Sequence, residues 1–539
     1  MGRRASDVTL VRGKSMDPTP GSVDLTTNAL GRLVPAMVNG KKQVPFQGVH
    51  GYRVQGRKAA PPIPSAAGYP ASGDKRVNSL SEALEACGLQ DGMTLSTHHH
   101  FRNGDFVSNM LFDACARMGK RDLMWFPSAS FPCHTPILEH MENGVVHHIE
   151  GSMNGPLGDY CTDGKMRGLG VLRSHGSRWQ AIQDGEVHID IAVIASPCAD
   201  PFGNANGVNG PAACGSLNFA LADSLYADRV IVVTDYLVPF PAIPWQIQGS
   251  NVDFVVSVDR IGDPSKIVSG TTEITKSPDR LLIAELTARF VRDAGIMKDG
   301  FSFQAGAGGT SLAFAIYLRE MMNQAGVKAS FIRGGSTKYL VEMLNEGLTD
   351  YILDGQTFDL DGVASMRDNP RHIPTSPFTS YNYHGKGFIG TLVDVVVLGA
   401  TEVDVHLNAN VVTHSDGRLL HGIGGWQNCL FAGCTILAVP ALRDRIPVIV
   451  DEVTTLTGPG ELIDVIVTER GIAINPRRQD LLEAVKGKDL PIRDIREIQR
   501  ELDQICGGKP KPPRRSGQVV AVVKWVDGTV LDSVWQVER

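Results

Sequence analysis

Two glycine-rich turns are the parts of this sequence best suited to chemistry. The first, residues 306–310, follows an apolar strand-like stretch and opens a helical one; the second is Gly422-Ile423-Gly424-Gly425. Glycine allows close approach to the backbone, and free N–H groups at a helix start favour an anion or a developing oxyanion. The first turn lacks the Lys-Ser/Thr of a P-loop and the spacing of a dinucleotide fingerprint, which argues against nucleotide binding, and we interpret it as an anion site. A tight turn without a ligand is the alternative.

Two carboxylates precede the second turn. Glu402 and Asp404 follow an apolar run, residues 392–398, that predicts a buried strand. Polar groups just past the carboxyl end of an interior strand lie where open α/β sheets bind ligands. Asp404 has a counterpart earlier in the chain and is expected to brace a turn, whereas Glu402 has none and is the functional candidate. A solvated loop carboxylate is the alternative for Glu402.

Three consecutive histidines form a third candidate. On an extended backbone His98 and His100 face one way and His99 the other. Three neighbours do not easily ligate one metal, and no carboxylate has a suitable spacing, so the sequence predicts no metal site. We interpret the segment as a ligand-recognition turn, with Arg102 available to a carboxylate or phosphate. A hydrogen-bonded surface loop is the alternative.

The elements that must position these residues occur twice. IDIAVIASPCADPFGNANG aligns with VDVVVLGATEVDVHLNANV at one constant offset of 204 residues, which pairs Asp190 with Asp394 and Asp200 with Asp404. We therefore predict the α/β class and an internal duplication. Each of the two similar domains is expected to hold an open, mostly parallel sheet flanked by helices.

The predicted organisation has three parts. Residues 1–75 are rich in Pro, Gly, Ser and basic side chains and have little apolar surface to bury, so they are expected to form a mobile tail and an extended arm. Residues 76–285 and 286–539 are the two domains. The second domain ends in a charged helix and, around Asp527-Gly528, a small hairpin that is expected to pack back on the second domain.

Composition limits the classes of function. The chain has 539 residues, of which 42% are hydrophobic and 20% charged, and a net charge of -6, which fits a globular protein and argues against nucleic acid as a partner. No apolar run reaches the roughly 18 to 20 residues that span a bilayer, so no membrane partner is expected and a cytoplasmic location is predicted. Nine cysteines without a CxxC pair predict reduced, mostly buried thiols.

Several motifs, taken in order, resemble a known superfamily. EVDVHLNANV, HGIGGWQN, FAGC and VIVTERGIAINP resemble second-domain elements of the coenzyme A transferases. More narrowly, THHHFRNGD, AACGSLNFA, GAGGTSLA and FTSYNYHGKG together resemble the citrate lyase alpha subunit family. The resemblance covers roughly residues 44–478, and its motifs are specific as a set rather than singly.

This resemblance implies a citrate CoA-transferase. Members of the family exchange acetyl for citryl on the thioester of an acyl carrier (gamma) subunit, whose prosthetic group is a phosphoribosyl-dephospho-coenzyme A; acetyl-CoA is the substitute donor. A beta subunit then cleaves the citryl thioester to oxaloacetate and the acetyl thioester. The implied ligands are citrate and an acetyl thioester. The implied partners are the beta and carrier subunits, in a complex that holds this chain as a homo-oligomer, without a tightly bound cofactor.

One departure from the superfamily bears on the mechanism. Many coenzyme A transferases carry a glutamate acyl acceptor in a Ser/Thr-Glu element, and the nearest counterpart here is Ser336-Thr337-Lys338. The resemblance then implies direct attack of a citrate carboxylate on the thioester, which needs oriented anions and oxyanion donors. The implied catalytic residues are Gly308, Gly309, Gly424, Gly425 and Glu402; the substrate-binding residues are His98, His100, Arg102, Arg333, Lys338, Asn408 and His421; and the residues that contact the coenzyme-like group are Gly306, Thr310 and Gly422.

Two rival functions stay open. A glutamate-dependent coenzyme A transferase would use Glu402 and ordinary coenzyme A on another carboxylic acid. A ligand sensor or scaffold would use the duplicated fold without catalysis. An acyl-modified carboxylate would favour the first rival, and citrate binding without exchange would favour the second.

Overall fold

The computed structural model of the chain describes residues 24–54, 73–268, 273–306 and 308–538. The parts of the predicted tail at residues 1–23 and 55–72 lie outside the described residues. The arm between them carries short strands: β1 (Leu25–Thr27), β2 (Leu33–Pro35), β3 (Met37–Val38) and β4 (Lys41–Lys42).

Strands and helices alternate along the first half. They are β5 (Arg76–Val77), α1 (Leu80–Ala86), β6 (Thr94–Thr97), α2 (Val107–Arg117), β7 (Leu123–Pro127), α3 (Ile137–Glu142), β8 (Val146–Ile149), α4 (Pro156–Thr162), β9 (Gly170–Leu172), α5 (His175–Gln183), β10 (Ile191–Ser196), β11 (Cys198–Ala199), β12 (Ala205–Asn206), α6 (Leu221–Tyr226), β13 (Arg229–Thr234) and β14 (Phe254–Ser257).

The second half is built in the same way. Its elements are α7 (Pro278–Asp293), β15 (Ser302–Ala305), α8 (Gly309–Ala325), β16 (Ala329–Ser336), α9 (Lys338–Asn345), β17 (Thr349–Thr357), α10 (Leu360–Asp368), β18 (His372–Pro374), α11 (Pro377–Ser380), β19 (Val395–Leu398), β20 (Glu402–Asp404), β21 (Ala409–Asn410), α12 (Trp426–Cys429), β22 (Cys434–Ala438), β23 (Leu442–Arg443), β24 (Ile446–Pro447), β25 (Ile449–Val450), β26 (Val465–Thr468) and β27 (Gly471–Ile474). The C-terminal elements are α13 (Gln479–Ala484), α14 (Ile495–Cys506), β28 (Arg515–Lys524) and β29 (Val530–Val537).

Each half is organised around one sheet, and six strands have the same order in both: β14-β13-β10-β6-β7-β8 corresponds to β26-β22-β19-β15-β16-β17. The first runs β5-β14-β13-β10-β6-β7-β8 with every pair parallel. The second runs β18-β17-β16-β15-β19-β22-β26-β27, and only its edge strand β27 is antiparallel. Central strands such as β10 and β19 are buried throughout, as expected where helices cover both faces of a parallel sheet. The predicted duplicated α/β fold is confirmed.

The repeated aspartates hold the same turn in both halves. Asp200 accepts hydrogen bonds from the backbone N–H of Asn204 at 3.1 Å and from its side-chain amide at 2.8 Å. Asp404 does the same with Asn408, at 3.0 Å from both donors. Each turn joins a pair of short antiparallel strands in the same register. The prediction that the shared aspartate is structural is confirmed.

Helix α7 lies at the predicted boundary between the two halves. The predicted boundary at 285/286 falls inside α7, and Ile283 and Leu286, on either side of it, both lie in the second-half core. A helix that buries one continuous apolar face cannot be divided between two cores. The whole of α7 therefore packs with the second half.

The C-terminal hairpin, β28 and β29, contacts both halves. Its strand β28 pairs in parallel with β9 of the first half, with Ala521 opposite Gly170. It also contacts the second half, where the Leu456 N–H donates to Asp532 at 2.6 Å. The expected packing on the second domain is thus one of two contacts; the other is with the first half, where β9 offers the backbone groups of β28 a ladder partner.

The N-terminal arm packs more tightly than its composition predicts. Val34, Val38 and Phe46 are buried, and the Asn28 side-chain amide donates to the carbonyl of Leu531 in the hairpin at 2.7 Å. The expectation that this region has little apolar surface to bury is therefore wrong for residues 24–54. Short strands can bury few side chains by themselves, but the hairpin supplies the second surface.

A buried ion-pair network joins the hairpin to the first half. Lys524 on β28 lies 2.8 Å from Glu186, and Arg173 lies 3.0 Å from Glu186 and 3.1 Å from Glu150. Burial alone would raise the pKa of Glu186, but Arg173 and Lys524 outweigh it and lower that pKa to about 2. A carboxyl with a lowered pKa stabilises the folded state above its unfolded pKa, and this contribution disappears as the pH falls towards the folded value.

Replacing Glu186 by Gln should therefore destabilise the protein in a pH-dependent way. At pH 7 we expect a loss of about 3 kcal/mol, because two buried cations lose their shared carboxylate. The difference in melting temperature between wild type and variant should be largest at pH 5 to 7. It should decrease below about pH 4, near the ordinary pKa of a glutamate. Glu85→Gln, at an exposed position on α1, is the control. A difference that does not change with pH would contradict the role of this charge.

Candidate active site

The carboxyl ends of the two sheets face each other. His99 follows β6 of the first sheet, and its Nε2 lies 3.2 Å from Oε1 of Gln356, near the end of β17 in the second sheet. The Gln356 side-chain amide donates back to the His99 carbonyl at 3.3 Å. Because ligands of parallel sheets bind at these strand ends, the junction between the halves is the candidate site.

On the second half, a buried arginine, Arg333, lies at the junction. The Arg333 guanidinium on β16 lies over the Tyr381 ring, 3.9 Å from its centroid, and donates to Gln304 Oε1 at 3.2 Å. Gln304 in turn donates to the Tyr381 hydroxyl at 3.2 Å and to Cys429 Sγ at 3.0 Å. Arg333 is 1% exposed, its Nε has no hydrogen-bond partner, and it forms no ion pair with a carboxylate in the described parts of the chain.

The turn at 422–425 meets the first half directly. The Gly424 carbonyl accepts from the N–H of His175 at 2.7 Å, and the N–H of Gly422 donates to the Asn154 side chain at 3.2 Å. Gly425 packs on the Tyr381 ring, since a Cβ atom there would lie 3.2 Å from it. Within the described residues, the N–H groups of Gly424 and Gly425 have no hydrogen-bond acceptor. Two backbone donors are thus available at this junction.

The other glycine turn follows β15, two residues after Gln304. The N–H of Gly306 donates to the Val397 carbonyl at 3.0 Å, so this amide is occupied. Helix α8 begins at Gly309 after an exposed Gly308, without a side-chain cap, and Thr310 is half-buried in its first turn. The first N–H groups of a helix have no intrahelical acceptor. The turn therefore offers donors at Gly308, Gly309 and Thr310 rather than at Gly306.

The histidine triplet divides as the extended backbone predicts. His98 and His100 face the first-half interior, where His98 Nε2 lies 3.0 Å from Asp223 and His100 Nε2 lies 2.7 Å from the Ala195 carbonyl. His99 faces the junction. The structure therefore brings His99, and not the two predicted histidines, to the second half. Their substrate-binding role stays a prediction without a contact at the junction.

Arg102 also reaches across the junction. Its guanidinium lies 4.7 Å from the centroid of the Phe358 ring in the second half and 5.8 Å from that of Phe131 in the first. Burial lowers its pKa to about 10, so it stays cationic at neutral pH. Arg102 is thus a second buried cation at the same edge of the molecule.

The remaining predicted residues lie in different surroundings. Glu402 is buried and accepts hydrogen bonds from Asn410, from the Thr454 N–H and from the Thr454 hydroxyl at 2.8 to 3.0 Å, so it is not a solvated loop carboxylate. The Asn408 side chain donates to Asp404 within their turn and accepts from the Gly460 N–H. Lys338 is exposed at the start of α9, and exposed His421 bonds the Gly422 carbonyl at 2.7 Å.

The sequence did not predict a role for two neutral imidazoles at the junction, those of His99 and His175. His99 and His175 stack with ring centroids 5.1 Å apart, and both contact Phe219. Burial, with Arg178 as a further cause, lowers the pKa of His175 to about 3, and burial with neighbouring His175 and Arg102 lowers that of His99 well below its ordinary value. The alternation within the triplet was the available signal for His99; His175 had none.

Three further properties concern metal binding, cysteines and membrane spans. Among the described residues, one group could hold a metal: His188, Asp190 and Asp228, whose ligand atoms lie within 4.8 Å of one another at the amino edge of the first sheet. All nine cysteines are free, as predicted. No described helix is both long and apolar enough to cross a membrane.

The comparisons with known proteins agree with this geometry. The family model described as "Citrate lyase, alpha subunit (CitF)" matches residues 73–537. The citrate lyase alpha chain of Klebsiella pneumoniae is 41% identical over 468 residues, covering 86% of this chain and 92% of that protein. A crystal structure of the putative alpha subunit of citrate lyase from Streptococcus mutans, in complex with citrate, superposes with a TM-score of 0.89 at 39% identity, covering 95% of this chain and 100% of that one.

A more distant structure shares the fold alone. It is a Pseudomonas malonate decarboxylase hetero-tetramer in complex with malonate, with a TM-score of 0.58 at 20% identity, covering 80% of this chain and 93% of the matched one. Two mostly parallel sheets that share the order of six strands and meet at the junction define a coenzyme A transferase-like α/β protein. Within that class, the chain belongs to the citrate lyase alpha subunit family. It is accordingly an enzyme, the citrate CoA-transferase subunit, and not a catalytically silent scaffold.

The conformation of Gly424 gives a test of the junction. Its φ of 63° lies in the left-handed region, so Gly424→Ala should cost about 1 to 2 kcal/mol and lower the melting temperature. Because the turn carries the two free amides, the exchange rate should fall as well. Gly399→Ala, where a Cβ atom meets open space, is the control in calorimetry and rate assays. Equal melting temperatures for the two variants would show that the turn is not held as described.

Proposed function

We propose that the chain exchanges the acetyl group of an acyl-carrier thioester for citryl at the junction between its two halves. The support is family membership, the citrate complex reported for the Streptococcus mutans relative, and the groups that converge at the facing strand ends. The proposed donor is the thioester of a coenzyme-like group on a carrier subunit, with acetyl-CoA as substitute. Beta and carrier subunits are the proposed partners, in an oligomeric complex.

The burial of Arg333 without a carboxylate partner among the described residues is the main support for the proposal. A guanidinium buried without a carboxylate costs several kcal/mol, and a bound anion would offset that cost. Citrate is a tricarboxylate, and Arg binds carboxylates through paired hydrogen bonds. The free Nε of Arg333 is a donor for one citrate carboxylate. Arg102, at the same edge, is the proposed contact of a second carboxylate, and Lys338 lies exposed nearby on α9.

The chemistry then needs no protein nucleophile. A citrate carboxylate oxygen attacks the thioester carbonyl carbon, a C–O bond forms, and the C–S bond breaks with release of the thiolate. The thiolate next attacks the citryl carbonyl of the resulting anhydride, which forms the citryl thioester and releases acetate. Each attack passes through an oxyanion. The amides of Gly424 and Gly425 are the proposed donors to it, together with those of Gly308 and Gly309.

The contacts of the coenzyme-like group are proposed on the same basis. Its phosphates and amides would approach the start of α8, where Thr310 and the uncapped N–H groups lie. The Gly306 and Gly422 amides already have protein acceptors, so these two glycines would contribute close backbone approach rather than hydrogen bonds. Neither contact requires a tightly bound cofactor.

Replacing Arg333 should weaken citrate binding specifically. We expect Arg333→Gln to raise the citrate KM by about 10- to 100-fold, since a charge-assisted hydrogen bond contributes roughly 1.5 to 3 kcal/mol. Arg319→Gln, which removes a surface arginine paired with Glu342 and Glu346 on the same half, is the control. Initial rates of acetyl-to-citryl exchange, measured over a range of citrate concentrations, separate the two variants. An unchanged citrate KM in Arg333→Gln would exclude the role.

A second variant distinguishes charge from packing. Gln304→Glu places a carboxylate where Arg333 now finds an amide oxygen, so it should neutralise the guanidinium without opening a cavity. The citrate KM should again rise, while the melting temperature stays equal or increases. If Gln304→Glu kept the wild-type KM, the free charge of Arg333 would not be what recruits citrate.

The glutamate-dependent rival predicts a different outcome at Glu402. This carboxylate is 2% exposed and engaged by three donors, so we propose that it braces the loop at 452–454 instead of attacking a thioester. After incubation with acetyl-CoA and treatment with borohydride or hydroxylamine, Glu402 should be unmodified by mass spectrometry. Glu402→Gln should melt at lower temperature but keep the exchange rate within about tenfold. A trapped Glu402 derivative would instead establish the covalent route.

A further inference from the structure

His175 occupies a position that the mechanism above does not use. It is the first residue of α5 in the first half, and its backbone N–H is held by the Gly424 carbonyl at 2.7 Å. The next residue is fixed as well, because the Gly176 N–H donates to Asn428 at 3.1 Å. The start of this helix is therefore docked against the second half beside the two free glycine amides.

The His175 ring is oriented by aromatic contacts and not by hydrogen bonds. It stacks on His99 at 5.1 Å with a 21° angle between the planes, and it meets Phe219 edge-on at 4.7 Å. Its Nε2 lies 3.8 Å from the place that a Cβ atom on Gly424 would take. Among the described residues, no protein group bonds either ring nitrogen. The ring is half-buried, so a ligand can reach it.

We infer that His175 is a further catalytic residue of the exchange and that its ring N–H donates to the oxyanion formed beside Gly424 and Gly425. This inference rests on the proposed function and adds a donor from the first half to oxyanion donors that otherwise come from the second. In the reaction the imidazole transfers no proton: the C–O bond forms and the C–S bond breaks while the N–H stays on nitrogen. Its pKa of about 3 keeps the ring neutral, as a pure hydrogen-bond donor requires.

A matched pair of substitutions tests this role. Gln and Met are close in size, but only Gln retains an N–H, so His175→Gln and His175→Met separate donation from packing. We expect kcat for acetyl-to-citryl exchange to fall on the order of 100-fold in His175→Met and by less than about tenfold in His175→Gln, with the citrate KM within about twofold of wild type in both. His188→Ala, at the opposite edge of the first sheet, is the control.

The possible outcomes lead to different conclusions. Equal kcat values for the Gln and Met variants, whether both high or both low, would overturn the inference, and so would an effect confined to the citrate KM. Melting temperatures of the full chain show that both variants fold; if the Met variant does not, His175→Leu replaces it in the same comparison. A wild-type chain without exchange activity would instead overturn the proposed function, and the inference with it.

Discussion

The proposed site depends on a buried positive charge, that of Arg333, which no carboxylate in the described parts of the chain neutralises. Arg333 has an aromatic face on one side and an amide oxygen on the other, and both are uncharged. A carboxylate in either place would form a permanent ion pair and remove the attraction for an anion. Two other buried carboxylates have partners of their own: Asp223 pairs with Arg178 and His98, and Glu402 accepts from Asn410 and Thr454. We therefore propose that the charge of Arg333, which no carboxylate of the described residues neutralises, is available to a bound anion.

The two copies of the fold have diverged in what they place at equivalent strand ends. β6 and β15 hold the same position in their sheets, yet the first is followed by histidines and the second by the turn at Gly306. The first copy contributes neutral rings and Arg102, and the second contributes Arg333 and backbone amides. The duplication permits this division of roles because the carboxyl ends of the two sheets meet at the junction. The carboxyl end of one sheet alone would be an open surface.

Sequence patterns predicted the fold and suggested part of the candidate site. The constant offset between Asp190 and Asp394 was sufficient for the duplication, because both sheets need identical buried strands and identical Asx turns. The glycine turns and Arg333 were proposed as site residues because their residue types limit their roles. Gln356 and His175 were not, since their importance comes from a contact between halves that local sequence does not encode. The hairpin partner was missed for the same reason: strand pairing over hundreds of residues depends on which edge remains free.

The hairpin also explains how such a site keeps its geometry. Oxyanion donors are effective only if they are aligned before the reaction, because reorientation during it would consume the stabilisation they provide. The Gly424 amide and the His175 ring belong to different halves, so their alignment requires the halves to be held at one angle. β28 pairs with β9 of the first half, while Asp532 on β29 holds the Leu456 N–H of the second. With Lys524 in the buried network of Glu186, this small element contacts both halves and would hold the proposed donors in a fixed relative position.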